Sequence, residues 1–270
     1  MLRYVPRRRD GGPLGRYARD KTSQFGEDGV IEEILNRIGP RSKYCVEFGA
    51  GSGLSLSNTW TLLNEKKWSG TLIEAHGDHH AILSDRYKDR PDVHCLHRFI
   101  ATDAGPGSID SILNETGAPK DIDVMSIDVD GTDWHIWNSL TEHRPRVVIV
   151  ECNPNVPSEI VYVQCKDTAV SAGSSAAAFV ELGFEKGYEL AWAGGVNLIF
   201  VARDDFPKLG IADNRLEIIA DFEKLQNKCF NLYNGTFFVV GAARLLWSDR
   251  RIEDQKMVVM QLPGFSEIGF

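Results

Sequence analysis

Three glycines at alternate positions, Gly49, Gly51 and Gly53, stand between two carboxylates, Glu47 and Glu74. Glycine lets backbone N–H groups approach a ligand with no Cβ in the way, and a carboxylate can accept hydrogen bonds from a ribose diol. A nucleoside-bearing cofactor is the chemistry this pattern suits. The spacing is G-x-G-x-G, whereas dinucleotide sites use G-x-G-x-x-G to seat a pyrophosphate on a helix N-terminus. Glu47 lies two residues before the first glycine, and an anion there is poorly suited to a pyrophosphate. It suits a ligand with a cationic end, such as an α-amino group or a sulfonium. S-adenosyl-L-methionine carries both, plus a ribose for Glu74, and is the expected cofactor. A dinucleotide and a purely structural turn are the alternatives.

A second group of oxygen-bearing residues comes later: Asp128 and Asp130, then Glu151 and Asn153. Each pair follows a short apolar run, so each is expected at the tip of a buried strand. Adjacent parallel strands lie about 4.8 Å apart, which would let all four side chains converge. Hard oxygen ligands at that density suit Mg²⁺ or Mn²⁺, with Ca²⁺ also admissible. The plainer reading has Asp130 or Thr132 capping a helix near Asp133, with Asp128 binding the cofactor's amino group. An EF-hand is excluded, because Gly131 falls at the fourth loop position and Ser139 at the twelfth. Asp128 and His135 are the candidate catalytic residues. His135 has a side chain suited to proton removal near neutrality, although Trp134 and Trp137 beside it favour packing instead.

The elements that would position these residues read as an alternation of helices and strands. Ser23 to Ile38 has Val30, Ile31, Ile34, Leu35 and Ile38 on one helical face, and Gly39-Pro40 ends it. Gln24, Glu27 and Asp28 at its start either complement the helix dipole or close over the cofactor. Strands are expected at 44–46, 71–73, 93–100, 124–127 and 146–150, with helices near 56–63, 79–87, 108–113 and 133–140. Such alternation predicts a parallel sheet covered on both faces. Residues 155–172 show no period and fit a substrate loop. An alanine-rich helix at 174–182 precedes strands at 188–192 and 197–201, which Gly194-Gly195 should join as a tight hairpin. Beyond residue 204, helices at 216–222 and 224–230 and strands at 237–240 and 257–260 are weaker expectations.

Several ordered stretches resemble FkbM-type methyltransferases: SQFGEDG (23–29), VEFGAGSG (46–53), SNT (57–59), WSGTLIEA (68–75), DVMSIDVDGTDWHIW (123–137), RPRVVIVECNP (145–154) and GYELAWAGGVNLIFVARDDF (187–206). The resemblance implies a class I S-adenosylmethionine-dependent enzyme over about residues 20–206. It also implies a Rossmann-like three-layer sandwich with a seven-stranded, mostly parallel sheet whose last strand is antiparallel. By motif match Glu47, Gly49 and Gly51 line the methionine end, Glu74 holds the ribose, and Ile100 and Ala101 flank the adenine. Gln24, Asn58 and Ala75 join the donor-binding set on the same ground. The acids at the two strand tips are similar to those of catechol and macrolide-sugar O-methyltransferases, where they hold a divalent ion beside the methyl donor.

The bulk properties are compatible with this. The chain has 270 residues, 43% apolar and 25% charged, and a net charge of -8, which argues against a duplex-binding surface. The five cysteines lack metal spacing and read as reduced core thiols, so a cytoplasmic protein is expected. No apolar run reaches membrane-spanning length. The expected organisation is a flexible tail at 1–20, a methyltransferase domain at 21–206 and an appended extension at 207–270; a homodimer is left open. The expected activity is O-methylation of a small-molecule, sugar or natural-product hydroxyl with divalent-metal assistance. The rivals are methylation of nitrogen or of a macromolecule, and a non-catalytic nucleoside-binding protein of the same fold.

Overall fold

The computed structural model describes residues 12–222, 225–241 and 251. A single-turn helix α1 (Gly12–Gly15) is followed by α2 (Glu27–Ile38), whose buried face is Val30, Ile31, Ile34, Leu35 and Ile38. Then come β1 (Tyr44–Phe48), α3 (Trp60–Asn64), β2 (Ser69–Glu74), α4 (Gly77–Tyr87), β3 (Val93–His97), α5 (Ile109–Glu115) and β4 (Val124–Ile127). The chain continues through α6 (Asp133–Ser139), β5 (Val147–Glu151), α7 (Ala176–Glu185), β6 (Tyr188–Gly194) and β7 (Asn197–Ala202). A 3₁₀ turn at Phe206–Leu209, α8 (Leu216–Ile219), a two-residue β8 (Ala220–Asp221), β9 (Lys228–Asn231) and β10 (Phe237–Val240) complete it.

The main sheet runs β3-β2-β1-β4-β5-β7-β6-β8. Its first five strands pair in parallel, and β7 is antiparallel to both β5 and β6. The architecture is thus the expected mostly parallel α/β sheet, covered on both faces. The strand count is corrected from seven to eight, because Ala220 and Asp221 add β8 parallel to Ala193 and Gly194 of β6. The antiparallel strand is therefore β7, and the sheet's last strand is parallel to its neighbour.

Side-chain alternation sorts the strand residues between two cores, as a sheet covered on both faces requires. Val46, Phe48, Met125, Ile127, Val148 and Val150 pack on one side with Trp137, Phe179 and Phe200. Cys45, Val124, Val147 and Ile149 pack on the other with the apolar face of α2. At the N-terminal edge of the sheet, Arg146 is buried and donates to Asp123 and Asp205, both at 2.7 Å.

Several boundaries differ from the sequence expectations. α2 begins at Glu27, four residues late, because residues 21–23 turn inward to donate their amides to Asp28 Oδ2, each at 2.9 Å. Residues 12–20, expected within a flexible tail, are packed instead: Leu14 is fully buried, and the Arg19 carbonyl accepts from Gly29 N at 3.0 Å. The helix expected at 224–230 is replaced by β9, which forms a hairpin with β10, and 216–222 divides into α8 and β8. Residues 1–11 and the strand expected at 257–260 lie outside the described residues. Among the described residues, no helix is long and apolar enough to cross a membrane.

Candidate active site

β1 and β4 are the neighbours from which the chain winds outward in opposite directions, to β2 and β3 on one side and to β5 on the other. Crevices at such switch points, beyond the carboxyl ends of the strands, are where open α/β sheets bind ligands. A cleft of about 900 Å³ lies there. It is lined by Gly49, Gly51, Glu74, Ala75 and Ile100 on one side, and by Asp128, Asp130, Glu151, Gln24 and Phe25 towards the other.

The glycine loop is shaped by close approach and by left-handed backbone. Gly49 has φ +70, and a Cβ there would sit 1.7 Å from the Asp128 carbonyl oxygen, so glycine alone lets the tips of β1 and β4 touch. Gly51 has φ +52, and the space where its Cβ would stand is open. Its amide donates to Glu74 Oε2 at 2.7 Å, while His76 N donates to Oε1 at 2.7 Å. Glu74 is thereby fixed at the tip of β2 with lone pairs left over for a diol.

Glu47 departs from its expected role. It points to the α2 side of the sheet, as Cys45 does, and does not line the cleft. Asn58 N donates to its Oε1 at 2.7 Å, and the hydroxyls of Ser57 and Thr59 donate to its Oε2 at 2.7 and 2.8 Å. Burial pushes its carboxyl up, against the pull of these donors. Glu47 therefore holds the turn at 57–59 rather than a ligand's cationic end. Asn58 is buried with it, donating to Ser126 Oγ at 3.0 Å, and also does not line the cleft, although Ser57 does. Ala101 bonds to Gly107 within its own loop and leaves the wall to Arg98, Phe99 and Ile100.

The acids converge in part. Ligand oxygens of Asp128, Asp130 and Glu151 all lie within 4.8 Å of one another. Burial, reinforced by Asp133 and Asp130 nearby, pushes the Asp128 carboxyl up to about 8, and it shares a hydrogen bond with Glu151. Asn153 does not join them. Its amide nitrogen donates to Ala172 O at 2.7 Å and its oxygen accepts from Asn155 N at 2.9 Å, which pins the ends of the 153–175 loop. Thr132 stands at the N-cap of α6 but its side chain makes no capping hydrogen bond. Asp133 reaches back from the first helical position to accept from Val129 N at 2.8 Å and Gly131 N at 2.9 Å. That bond pair fixes the loop carrying Asp128 and Asp130, the latter at φ +59.

His135 is not in the cleft. It is buried against Trp134, and its Nε2 lies 2.7 Å from the Gln164 carbonyl oxygen. Gln164 in turn accepts from Ala172 N and Gly173 N, both at 2.8 Å, and so organises the long loop whose Thr168, Val170 and Ser171 line the cleft. Sequence reasoning missed Gln164, which sits in an aperiodic stretch with no local signal. It also missed Asp133, whose place one residue after D-V-D-G-T could have marked it as the loop's acceptor.

No protein-family model matches this sequence, and no curated protein matches it, so the FkbM resemblance is not extended beyond the motifs that suggested it. Solved structures similar to the chain include the methyltransferase domain of bacterial CtHen1, at 14% identity over 65% of this chain and 97% of that one, with a TM-score of 0.42. The N-terminal domain of EvdMO1 with SAH bound is similar at 9% identity over 71% and 84% of the two chains, TM-score 0.45. The glycopeptide N-methyltransferase MtfA complexed with S-adenosyl-L-methionine is similar at 12% identity over 64% and 92%, TM-score 0.39.

Proposed function

We propose that the chain is an S-adenosylmethionine-dependent methyltransferase that transfers the methyl group to a hydroxyl of a small molecule, sugar or natural product. The observation that carries this reading is a single cleft combining an open glycine loop, a ribose-competent carboxylate and three converging acids. Its volume of about 900 Å³ lies within the usual range for cofactor pockets. The open space over Gly51 and the spare lone pairs of Glu74 fit a ribose laid across the loop. The transfer is an in-line displacement, so the protein's contribution is mostly positioning.

Asp128, Asp130 and Glu151 would hold a divalent cation, Mg²⁺ or Mn²⁺. Their hard oxygens and mutual distances fit such an ion, and the raised carboxyl of Asp128 marks a place short of positive charge. An ion bound there would favour the ionised form of an acceptor hydroxyl. Carboxylates holding an ion would not also take the acceptor's proton; without an ion, and with His135 turned away, the Asp128–Glu151 pair is the group placed to hold it, and a nearby sulfonium favours its ionised state.

Calorimetry with S-adenosylmethionine and S-adenosylhomocysteine tests the reading. Binding is expected, and failure of both ligands at millimolar concentration would end it. Turnover should collapse in EDTA and return with Mg²⁺ or Mn²⁺; EDTA-insensitive turnover would remove the metal. The same three acids also suit an amine acceptor, which metal-independent formation of an N-methyl product would reveal.

A further inference from the structure

With the oxygens of Glu47 taken up by Ser57, Asn58 and Thr59, the amino-acid end of the donor needs another partner. The sheet order says where it falls. A ribose at Glu74 and an adenine towards Ile100 occupy the β2–β3 side, so the rest of the donor extends across β1 and β4, towards the wall made by Gln24 and Phe25.

That wall is held by a buried carboxylate. Glu27 is fully buried; its Oε2 accepts from Gln24 N at 3.1 Å and Phe25 N at 2.8 Å, and its Oε1 accepts from Asn197 Nδ2 at 2.7 Å. Asn197 opens β7 and is the register partner of Glu151. One carboxylate thus ties the wall to the strand that neighbours the acid cluster. The Phe25 ring occupies the space a Cβ on Gly195 would need, only 2.0 Å away, so the wall has a built receiving surface. A glutamine at position 27 could keep its oxygen on these two amides and turn its NH₂ to the side-chain oxygen of Asn197, which has no partner among the described residues, so methionine is the variant that removes the acceptors.

We propose that Glu27 is a positioning residue that fixes Gln24 and Phe25 as the recognition wall for the amino-acid end of the methyl donor. This rests on the methyltransferase reading. The probes are S-adenosylhomocysteine, which has that end, and 5′-methylthioadenosine, which lacks it. Glu27→Met, which keeps the chain length and removes both acceptor oxygens, should weaken S-adenosylhomocysteine binding by about tenfold and leave 5′-methylthioadenosine within about twofold. Gln24→Ala, at an exposed side chain that folding does not depend on, should show the same selectivity. Equal weakening of both ligands, or of neither, in the folded variants would overturn the proposal. If the unmutated protein binds neither ligand, the methyltransferase reading itself falls. Binding of both ligands to it with no selective loss in the variants removes Glu27's role alone.

Discussion

A methyl group added at Gly49 would collide with the Asp128 carbonyl oxygen, whereas one added at Gly51 would meet nothing. The two substitutions should therefore separate folding from binding. Gly49→Ala is expected to destabilise the protein by roughly 2–4 kcal/mol, combining a left-handed backbone with a main-chain clash. Gly51→Ala should cost only about 1–2 kcal/mol for its positive φ, yet place a Cβ in the space a ligand needs and abolish S-adenosylhomocysteine binding. Urea unfolding and calorimetry on both variants check this; equal stability losses would refute the clash. Asp128→Asn should lower turnover by about 100-fold, the scale of a lost proton acceptor, while changing donor affinity far less. An affinity loss as large as the rate loss would assign Asp128 to donor binding instead. Glu47 shows what residue types conceal at this scale. Its position before the glycines was legible, but its direction was set by strand alternation, which sent it to the α2 side with three donors waiting.

At the scale of elements, helices and strands with clear periodicity were legible and the segments between them were not. α2 was visible from its apolar face, but its start was not, because Asp28 recruits the preceding residues into a turn rather than a helix. Burial alone would raise the Asp28 carboxyl; the amides of Ser23, Thr22 and Lys21 and the Ser23 hydroxyl outweigh it and hold its pKa below the usual 3.8. A depressed carboxyl contributes stability that is present above its unfolded pKa and lost as pH falls through the folded value. Asp28→Asn is thus expected to cost about 1–3 kcal/mol at pH 7, since three partly buried amides lose an ionised acceptor. The difference from the unmutated protein should shrink when unfolding is repeated near pH 3. A cost that stays constant across that range would show that Asp28 acts by shape alone. The 153–175 loop was illegible for a related reason: Gln164 and Asn153 organise it through side-chain bonds to backbone, which leave no period in the sequence.

Across the whole molecule the two edges of the sheet divide the work. The cleft takes the C-terminal ends of the strands, and the opposite edge is closed by Arg146, which joins four parts of the chain. Its guanidinium donates to Asp123 and Asp205, to Gly39 O at 2.6 Å and to Ile38 O at 3.2 Å. Asp123 also accepts from the amides of Arg41 and Lys43, each at 2.8 Å. Burial would weaken the Arg146 charge, but Asp205 and Asp123 outweigh it and push its pKa up. Removing Arg146 leaves the buried Asp123 carboxylate with no cationic partner, while Asp205 keeps Lys208 at 2.6 Å and Arg41 at 3.3 Å. Arg146→Met should therefore destabilise the fold by about 3–5 kcal/mol. Adding Asp123→Asn to it should recover part of the loss, because the buried carboxylate left without a cation is then neutral, whereas Asp205 still has Lys208 and Arg41. At temperatures where Arg146→Met is still folded, its affinity for S-adenosylhomocysteine should match that of the unmutated protein, since the network lies at the far edge from the cleft. A fall in affinity without unfolding would show that the two edges are coupled through β4 and β5.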